Sequence, residues 1–212
     1  MDLSNPQSAV TGSALLGSVL VVLAGTTKAL TGRQVARLAT QGSERGIQLA
    51  LHKLAEQGLV DSREAPPAVL YELNRDHIAA PVVEALAGLR AELLKRLRAT
   101  IDGWPIPATH ASMFGSAARG DGDVDSDIDL FVVRPGHVSA EESGWRSQIE
   151  DLAHDVERWT GNRAGISEVG SAEIGRLIAA RPPIVEDLVR EGVTLAGPSA
   201  RQLFSPLHTD AG

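Results

Sequence analysis

Residues 111–133 hold the pattern that most limits what this chain can fold into. A short apolar run, as expected of a strand, is followed directly by the small-residue turn Gly115-Ser116. Eleven residues after Ser116, Asp127-Ile-Asp129 opens a second apolar run. Because side chains alternate along a strand, the two carboxylates are expected on the same face. The pattern therefore predicts a strand, a tight turn, and a second strand that begins with paired acids.

The two halves of this pattern suit the binding of phosphates and of a metal ion. Glycine lets the backbone approach a phosphate closely, N–H groups at a helix start bind anions, and Ser116 adds a hydroxyl donor. Two carboxylates on one face repel each other unless a cation lies between them. Mg²⁺ typically takes one or two carboxylates together with substrate phosphates. These are the minimum requirements for metal-dependent phosphoryl or nucleotidyl transfer.

Three alternatives for the acidic run are weaker. Acids alternate from Asp121 to Asp129, as in a calcium loop. However, the sixth position is Ser126 instead of Gly and the twelfth is Val132 instead of Glu, so the EF-hand pattern fails. A solvated acidic turn that enters a core strand is a second alternative, although unpartnered acids in an apolar strand are costly. An adhesion tripeptide beginning at Arg119 is the third.

The same residues resemble the nucleotidyltransferase superfamily typified by DNA polymerase β, in its minimal prokaryotic form. The resemblance is carried by Gly-Ser-Ala-Ala-Arg-Gly at residues 115–120 and Ser-Asp-Ile-Asp-Leu at residues 126–130, and it covers about residues 106–197. It implies an NTP substrate and two Mg²⁺ ions, with Mn²⁺ as the alternative metal. The implied roles are phosphate binding by Gly115 and Ser116, metal binding by Asp127 and Asp129, and nucleotide contacts by Arg119 and Ser126.

Two residues, Glu168 and Arg119, each have two alternative roles. The family places a third carboxylate on a later strand, beyond one helix. In this chain, a capping box at residues 139–142 predicts the start of a helix, and a strand is predicted at residues 163–169. That strand offers Glu168 where an Asp is expected. Glu168 is predicted either as the general base or further metal ligand, or as an ordinary exposed residue. Arg119 either contacts phosphate or pairs with a nearby Asp.

The first part of the chain predicts short helices followed by a β-ribbon. Ala14–Leu23 is one expected helix, a capping box of Thr31 with Gln34 starts a second, and Ser43 caps a third. Two short apolar runs then flank a proline turn. This order resembles the winged helix-turn-helix domain of bacterial regulators over residues 13–75. The apolar residues assigned to the third helix are Ile47, Leu49, Leu51 and Leu54.

The winged-helix resemblance implies that the third helix enters the major groove of double-stranded DNA. Residues 25–63 hold six basic residues against three acidic ones, which is a weak positive excess. The alternative is a protein-interaction or dimerisation module. The candidate base-facing residues are Ser43, Arg45, Gln48 and His52, and the candidate phosphate contacts are Lys28, Arg33, Arg37, Lys53 and Arg63.

A long helix is predicted between the two parts. It begins at a cap on Asp76, runs to about Thr100, and forms a connector over residues 76–103. Its apolar stripe is expected to form a homodimer seam or to pack within the chain. A nucleotidyltransferase domain is expected at residues 104–197 and a tail at 198–212. The predicted fold class is α+β with two domains, the second a mixed sheet flanked by helices.

Composition narrows the partners. Residues 1–103 hold 11 Lys and Arg against 10 Asp and Glu, whereas residues 104–212 hold 9 against 17. Any contact with a nucleic-acid backbone is therefore expected in the first part. Only seven aromatic residues are present, which argues against a base-stacking platform.

The chain has no cysteine, which excludes disulfides, thiolate zinc sites and a Cys nucleophile. No apolar run is long enough for a membrane span, and we expect a cytoplasmic protein.

Together, these observations predict an enzyme that moves an NMP from an NTP to an acceptor hydroxyl on a protein, an RNA end or a small molecule. The winged helix is expected to bind DNA or a partner. The alternative is a DNA-binding regulator whose degenerate nucleotidyltransferase domain senses nucleotide. Family analogy adds a role in a toxin–antitoxin or defence pair.

Overall fold

A computed structural model describes residues 7–119 and 126–205. The chain divides into two compact units, the first ending at Glu92 and the second beginning at Leu93. Within the described ranges, no helix is both long and apolar enough to cross a membrane. Asp121, Asp123 and Asp125 of the acidic run lie outside the described residues.

The first unit contains short helices and a small sheet, in the order predicted. Thr31 forms a capping box with Gln34, and the Ser43 hydroxyl oxygen accepts the backbone N–H of Gly46, so both predicted caps are confirmed. The elements are α1 (Ser8–Thr11), α2 (Ala14–Ala24), β1 (Leu30–Thr31), α3 (Gly32–Leu38), α4 (Glu44–Glu56), β2 (Val60–Ala65), β3 (Ala68–Leu73) and α5 (Ala80–Ala87).

The sheet of the first unit has three antiparallel strands in the order β1-β3-β2. The ribbon of β2 and β3 keeps one register from Val60 opposite Leu73 to Ala65 opposite Ala68. Its inner face and the helices enclose one apolar core, because each amphipathic element must bury its apolar side. The core includes Val19, Leu23, Val35, Ile47, Leu51 and Tyr71.

One of the four apolar residues assigned to the third helix, α4, does not share its buried face. Leu49 is 57% exposed, whereas Ile47, Leu51 and Leu54 are buried. The buried residues of α4 are spaced at i, i+3, i+4 and i+7, which is the spacing of a single helix face. Leu49 is two residues after Ile47, and a rotation of about 200° places it on the opposite side. The buried set is Ile47, Ala50, Leu51 and Leu54.

The predicted single helix over residues 76–103 is two helices, α5 and α6 (Leu89–Asp102), with Gly88 between them. Asp76 is not a helix cap, because α5 begins at Ala80 and Ala79 is at its N-cap position. The apolar stripe is also discontinuous, since Ile78 is 93% exposed. Glycine is a weak helix former, which favours the irregularity at Gly88.

The second half of α6 belongs to the core of the second unit. Leu97 is fully buried, as is Trp145, whose ring stacks edge-on against that of Trp104 with centroids 5.7 Å apart. The boundary between the units therefore falls inside α6, at Glu92, and not at the predicted break near residue 103.

The second unit is built on a four-stranded mixed sheet in the order β6-β5-β4-β7. β5 and β6 are parallel and the other neighbours are antiparallel, which confirms the predicted mixed sheet with helices. The elements are β4 (His110–Phe114), α7 (Gly115–Arg119), β5 (Ile128–Arg134), α8 (Ser143–Thr160), β6 (Ala164–Gly170), a 3₁₀ turn (Ser171–Glu173), α9 (Ile174–Ala180), α10 (Pro183–Glu191), β7 (Val193–Ala196) and α11 (Ala200–Leu203).

β5 is the centre of this unit, because it is buried on both faces. Phe131 and Val133 pack with Val185 and Leu188 of α10 on one face. The alternate residues, Ile128 among them, are buried on the other face. A central strand of this kind holds its ends rigidly, which matters for the acids at its start.

Two predicted boundaries of the second unit differ from the structure. Residues 139–142 form a turn, closed by a bond from the Glu142 N–H to the Ser139 carbonyl, and α8 begins after it. The predicted capping box is therefore wrong. The compact fold also continues beyond residue 197, because α11 follows and Phe204 packs on Phe131 with ring centroids 6.0 Å apart.

His110 is a buried titratable group in β4. Its Nδ1 lies 2.7 Å from the Pro198 carbonyl oxygen and its Nε2 lies 3.0 Å from the Ser112 hydroxyl. A carbonyl only accepts, so Nδ1 carries the hydrogen and the Ser112 hydroxyl donates to Nε2. Burial lowers the pKa of His110 and outweighs the opposing hydrogen bond to Pro198.

We predict that the free energy of unfolding decreases as the pH falls below about 6.5, the ordinary pKa of histidine. The unfolded chain then binds a proton that the folded state excludes, down to the lowered pKa of His110. His110→Gln cannot titrate and is expected to show a smaller decrease. Urea denaturation between about pH 5 and 7.5 measures both slopes, and equal slopes for the two proteins contradict the prediction.

Candidate active site

Asp127 and Asp129 lie at the start of β5, between the two strands that flank it. Asp129 is opposite Phe114 of β4 on one side and Gly165 of β6 on the other. Asp127 immediately precedes the strand and is exposed, while Asp129 is half-buried. The end of β4 leads directly into Gly115, so the predicted turn and the predicted acid pair meet at one end of the sheet.

Two glycines make room for the Asp129 carboxylate. A Cβ on Gly115 would lie 2.5 Å from Oδ2 of Asp129, and a Cβ on Gly165 would lie 3.0 Å from Oδ1. The Gly165 position is also 3.9 Å from the Cβ of Asp127, so both acids face this strand. Gly115 has φ +68, a left-handed conformation that other residues rarely adopt. The carboxylate therefore sits in a cradle between two glycines, and a Cβ at either position would force it to shift.

The electrostatics of the pair favour a cation. Partial burial raises the pKa of Asp129, and the nearby negative charge of Asp127 raises it further. The guanidinium of Arg119 acts in the opposite direction and lowers the Asp129 pKa. Two close carboxylates with only partial compensation are stabilised when a positive ion binds between them.

Arg119 is held by a residue that the sequence analysis missed. Its Nη1 lies 2.6 Å from Oε1 of Glu191, at the end of α10. Glu191 is nearly buried, with 13% of its side chain exposed. The sequence predicts a nearby Asp or a phosphate as the partner of Arg119, and Glu191 is a further partner that lies 72 residues away in the sequence. No local pattern in the sequence signals this pair.

Ser126 and Ser116 occupy different places at the site. Ser116 follows Gly115 at the start of α7, where it is half-buried. The carbonyl oxygen of Ser126 accepts a hydrogen bond of 2.8 Å from the side-chain amide of Asn162, in the turn that follows α8. The structure thus brings Gly115, Ser116, Asp127 and Asp129 to one end of the sheet, with Arg119 in α7 beside them.

Glu168 is not at this site. It is opposite Val132 of β5, three residues along from Asp129, which corresponds to about 10 Å. Glu168 also lies on the opposite face of the sheet from Asp129. The residues of β6 on the Asp129 face are Gly165, Ser167 and Val169, because side chains alternate along a strand. The Glu168 carboxylate pairs with Arg134, with Oε1 2.8 Å from Nε. The structure therefore contradicts the expectation that Glu168 completes the acid cluster.

Asp127 and Asp129 are the candidate metal ligands among the described residues of the site. In the described ranges, no cluster of three or more His, Cys, Asp and Glu side chains is placed to hold a metal ion. Asp127 and Asp129 supply carboxylate oxygens, which Mg²⁺ prefers. Mg²⁺ typically takes one or two carboxylates together with substrate phosphates, and the pair suits an ion bound in this way.

The residues predicted to contact DNA all lie in the first unit. Arg33, Gln48 and His52 line an open groove of about 660 Å³ together with Pro67 and Val69 of the ribbon. Arg33 also borders a second groove with Arg37, Ala36 and Glu44, and is 3.5 Å from the Glu44 carboxylate. Ser43 acts as the cap of α4, while Arg45, Lys53 and Arg63 are exposed.

Gly115→Ala is expected to lower the free energy of unfolding by about 1–2 kcal/mol, the cost of a left-handed conformation for an L-residue. The added Cβ also displaces the Asp129 carboxylate, 2.5 Å away. Gly175→Ala is the matched control, because a Cβ there meets nothing within 4 Å and alanine is the better helix former. Chemical denaturation compares the two variants. A Gly115→Ala protein as stable as the wild type contradicts the cradle.

Comparisons with known proteins relate one segment of the chain to a known family. Residues 94–177 match the family model described as a nucleotidyltransferase domain. A crystal structure of a toxin–antitoxin with AMP-PNP is 19% identical, with 54% of this chain and 79% of that chain covered and a TM-score of 0.34. A mutant of the toxin–antitoxin MntA-HpeT is 16% identical, with the same coverages and a TM-score of 0.33. Curated proteins give no match. The segment that contains the site is thus similar in sequence to nucleotidyltransferase domains.

Proposed function

We propose that this chain is a metal-dependent nucleotidyltransferase that moves an NMP from an NTP to an acceptor hydroxyl, with the expected domain at residues 104–197. The observation that carries the proposal is the cradle of Asp129 between Gly115 and Gly165, with Asp127 beside it. The family match at residues 94–177 supports the same chemistry. The acceptor is a protein, an RNA end or a small molecule.

Asp127 and Asp129 fit the role of Mg²⁺ ligands. They are close enough for the charge of one to raise the pKa of the other, and Asp127 is open to solvent. We assign them to two Mg²⁺ ions, with Mn²⁺ as the alternative. Bound divalent ions in such sites stabilise the charge on the attacking and leaving oxygens of an in-line displacement.

The neighbouring residues bind and orient the nucleotide. Gly115 lets the backbone approach the triphosphate, and the Ser116 hydroxyl donates to a phosphate oxygen. Arg119, fixed by Glu191, supplies a positive charge next to the acid pair. A charge held in place by a nearly buried partner loses little freedom when the anionic substrate binds. Ser126 contributes through its backbone, at the entrance of β5.

No carboxylate of β6 is assigned as the general base. The residues of β6 on the same face as Asp129 are Gly165, Ser167 and Val169, and none of them is ionised near neutral pH. Glu168 instead forms the ion pair with Arg134. Its substitution tests this assignment directly.

Incubation with α-labelled NTPs and candidate acceptors tests the activity. We expect the Asp127→Ala, Asp129→Ala double variant to lose at least about 100-fold in label transfer, since it removes the ligands of the ions that stabilise the transition state. Glu168→Gln is the control and is expected to stay within about two-fold of the wild type, because it lies on the other face of β6. Transfer that persists in the double variant overturns the proposed activity. Loss of label transfer in Glu168→Gln overturns the assignment of β6 as a strand without a catalytic carboxylate.

A second candidate function is favoured by the grooves of the first unit. We propose that residues 13–75 form a winged helix that binds double-stranded DNA through α4. Arg33, Arg37 and His52 border the two grooves, which share Arg33, and Glu44 is the acidic residue among the described lining. A regulator with a nucleotide-sensing second domain is the corresponding alternative to an enzyme. The expected homodimer and the toxin–antitoxin or defence role stay predictions of the family resemblance.

Binding to the DNA upstream of the chain's own coding sequence tests this second function. We expect an affinity that falls as salt rises, because each phosphate contact releases counterions. The Arg33→Ala, Arg37→Ala double variant is expected to reduce the salt slope by about 1–2. Arg176→Ala, an exposed arginine of the second unit, is the control. An absence of salt-sensitive binding, with or without NTP, contradicts the proposal.

A further inference from the structure

The turn that joins α8 to β6 lies against the acid pair. It runs from Thr160 to Arg163, and it reverses direction at Gly161, which has φ +76 and ends α8. β6 then starts at Ala164, opposite Ile128 of β5. The turn is therefore placed beside the residues that lead into β5.

Two hydrogen bonds from this turn flank Asp127. The side-chain amide of Asn162 donates to the Ser126 carbonyl oxygen over 2.8 Å, just before Asp127. The backbone N–H of Ile128, just after Asp127, donates to the Arg163 carbonyl oxygen over 2.8 Å. Asp127 precedes the first residue pair between β5 and β6, which is Ile128 opposite Ala164. The Asn162 bond therefore holds the side of Asp127 that the sheet does not.

Asn162 is itself held rigidly. It is only 3% exposed, and its backbone N–H donates to the Thr160 hydroxyl oxygen over 3.1 Å. That hydroxyl donates in turn to the Val156 carbonyl oxygen over 2.7 Å, in the last turn of α8. A buried amide fixed to a helix end keeps its geometry, because a lost hydrogen bond there leaves a buried polar group unsatisfied.

We propose that Asn162 is a positioning residue for Asp127, acting through the Ser126 carbonyl to keep the Asp127 carboxylate beside that of Asp129. This inference rests on the proposed function. The direction of the Asp127 side chain is set by the backbone of residues 126–128, which the turn holds at both ends. Without the amide, the Ser126 carbonyl loses this hydrogen bond, the backbone before Asp127 is held less firmly, and the two carboxylates separate. The site then binds a divalent ion together with NTP less tightly.

Asn162→Ala tests this inference in the full-length chain. Binding of each of the four NTPs is measured by calorimetry as Mg²⁺ is titrated, and Mn²⁺ binding in the presence of the tightest NTP is measured by electron paramagnetic resonance. We expect the Mg²⁺ concentration at half-maximal NTP binding to rise about ten-fold or more, the usual effect of removing a group that orients a metal ligand. Asn162→Asp keeps the volume, replaces the donor with an acceptor, and is expected to shift the midpoint in the same direction.

Gln148→Ala, in α8, is the matched control. Gln148 is a buried amide, and its Nε2 also donates to a backbone carbonyl over 2.8 Å, that of Ile106, in the segment before β4. Both alanine variants are expected to lower the melting temperature, and all metal titrations are run well below the lowest of these temperatures. Only the Asn162 variants are expected to shift the Mg²⁺ and Mn²⁺ midpoints.

The outcomes separate this inference from the proposed function. A wild-type protein that binds no NTP in a Mg²⁺-dependent manner overturns both. Metal-dependent binding in the wild type with unchanged midpoints in the Asn162 variants overturns the positioning role alone. Equal shifts in the Gln148 and Asn162 variants overturn it too, because they show a general loss of structure. A shift confined to the Asn162 variants supports it.

Discussion

The repulsion between Asp127 and Asp129 is the constraint around which the second unit is arranged. Asp129 is half-buried and next to a second carboxylate, and both effects raise its pKa. Such a pair persists only where the backbone is held from several sides and where positive charge is within reach. The strands β4 and β6 hold the backbone of β5 on both edges. Arg119 supplies part of the positive charge, and a divalent ion bound with NTP is proposed to supply the remainder.

These demands explain why glycine occurs on both strands that flank the acids. Gly115 and Gly165 belong to segments about 50 residues apart in the sequence, yet each leaves the space of a missing Cβ to one oxygen of Asp129. Gly115 also sets the direction of the chain after β4. The chain leaves β4 in a left-handed conformation at Gly115, so that α7 and Arg119 return toward the acid pair. A sheet with the same order but larger residues at these positions would force the Asp129 carboxylate out of its present place.

Features that depend on a few neighbouring residues could be predicted from the sequence. The capping box of Thr31 with Gln34, the turn at Gly115 and the alternation after Asp127 are of this kind. Contacts between distant segments could not. The Arg119–Glu191 pair leaves no local pattern, and the place of Glu168 depends on the register of β6 against β5. A shift of one residue in that register exchanges the two faces of a strand.

The turn from Thr160 to Arg163 shows why a structural signal can hide a functional one. In the sequence, Gly161 and Asn162 indicate the end of a helix, and the structure bears this out. The same turn also bonds to both sides of Asp127 and leads into Gly165, which makes room for Asp129. The turn that ends α8 is thus also part of the acid site. If Asn162 positions Asp127 as proposed, a change that extends or unwinds the last turn of α8 also displaces the Asp127 carboxylate.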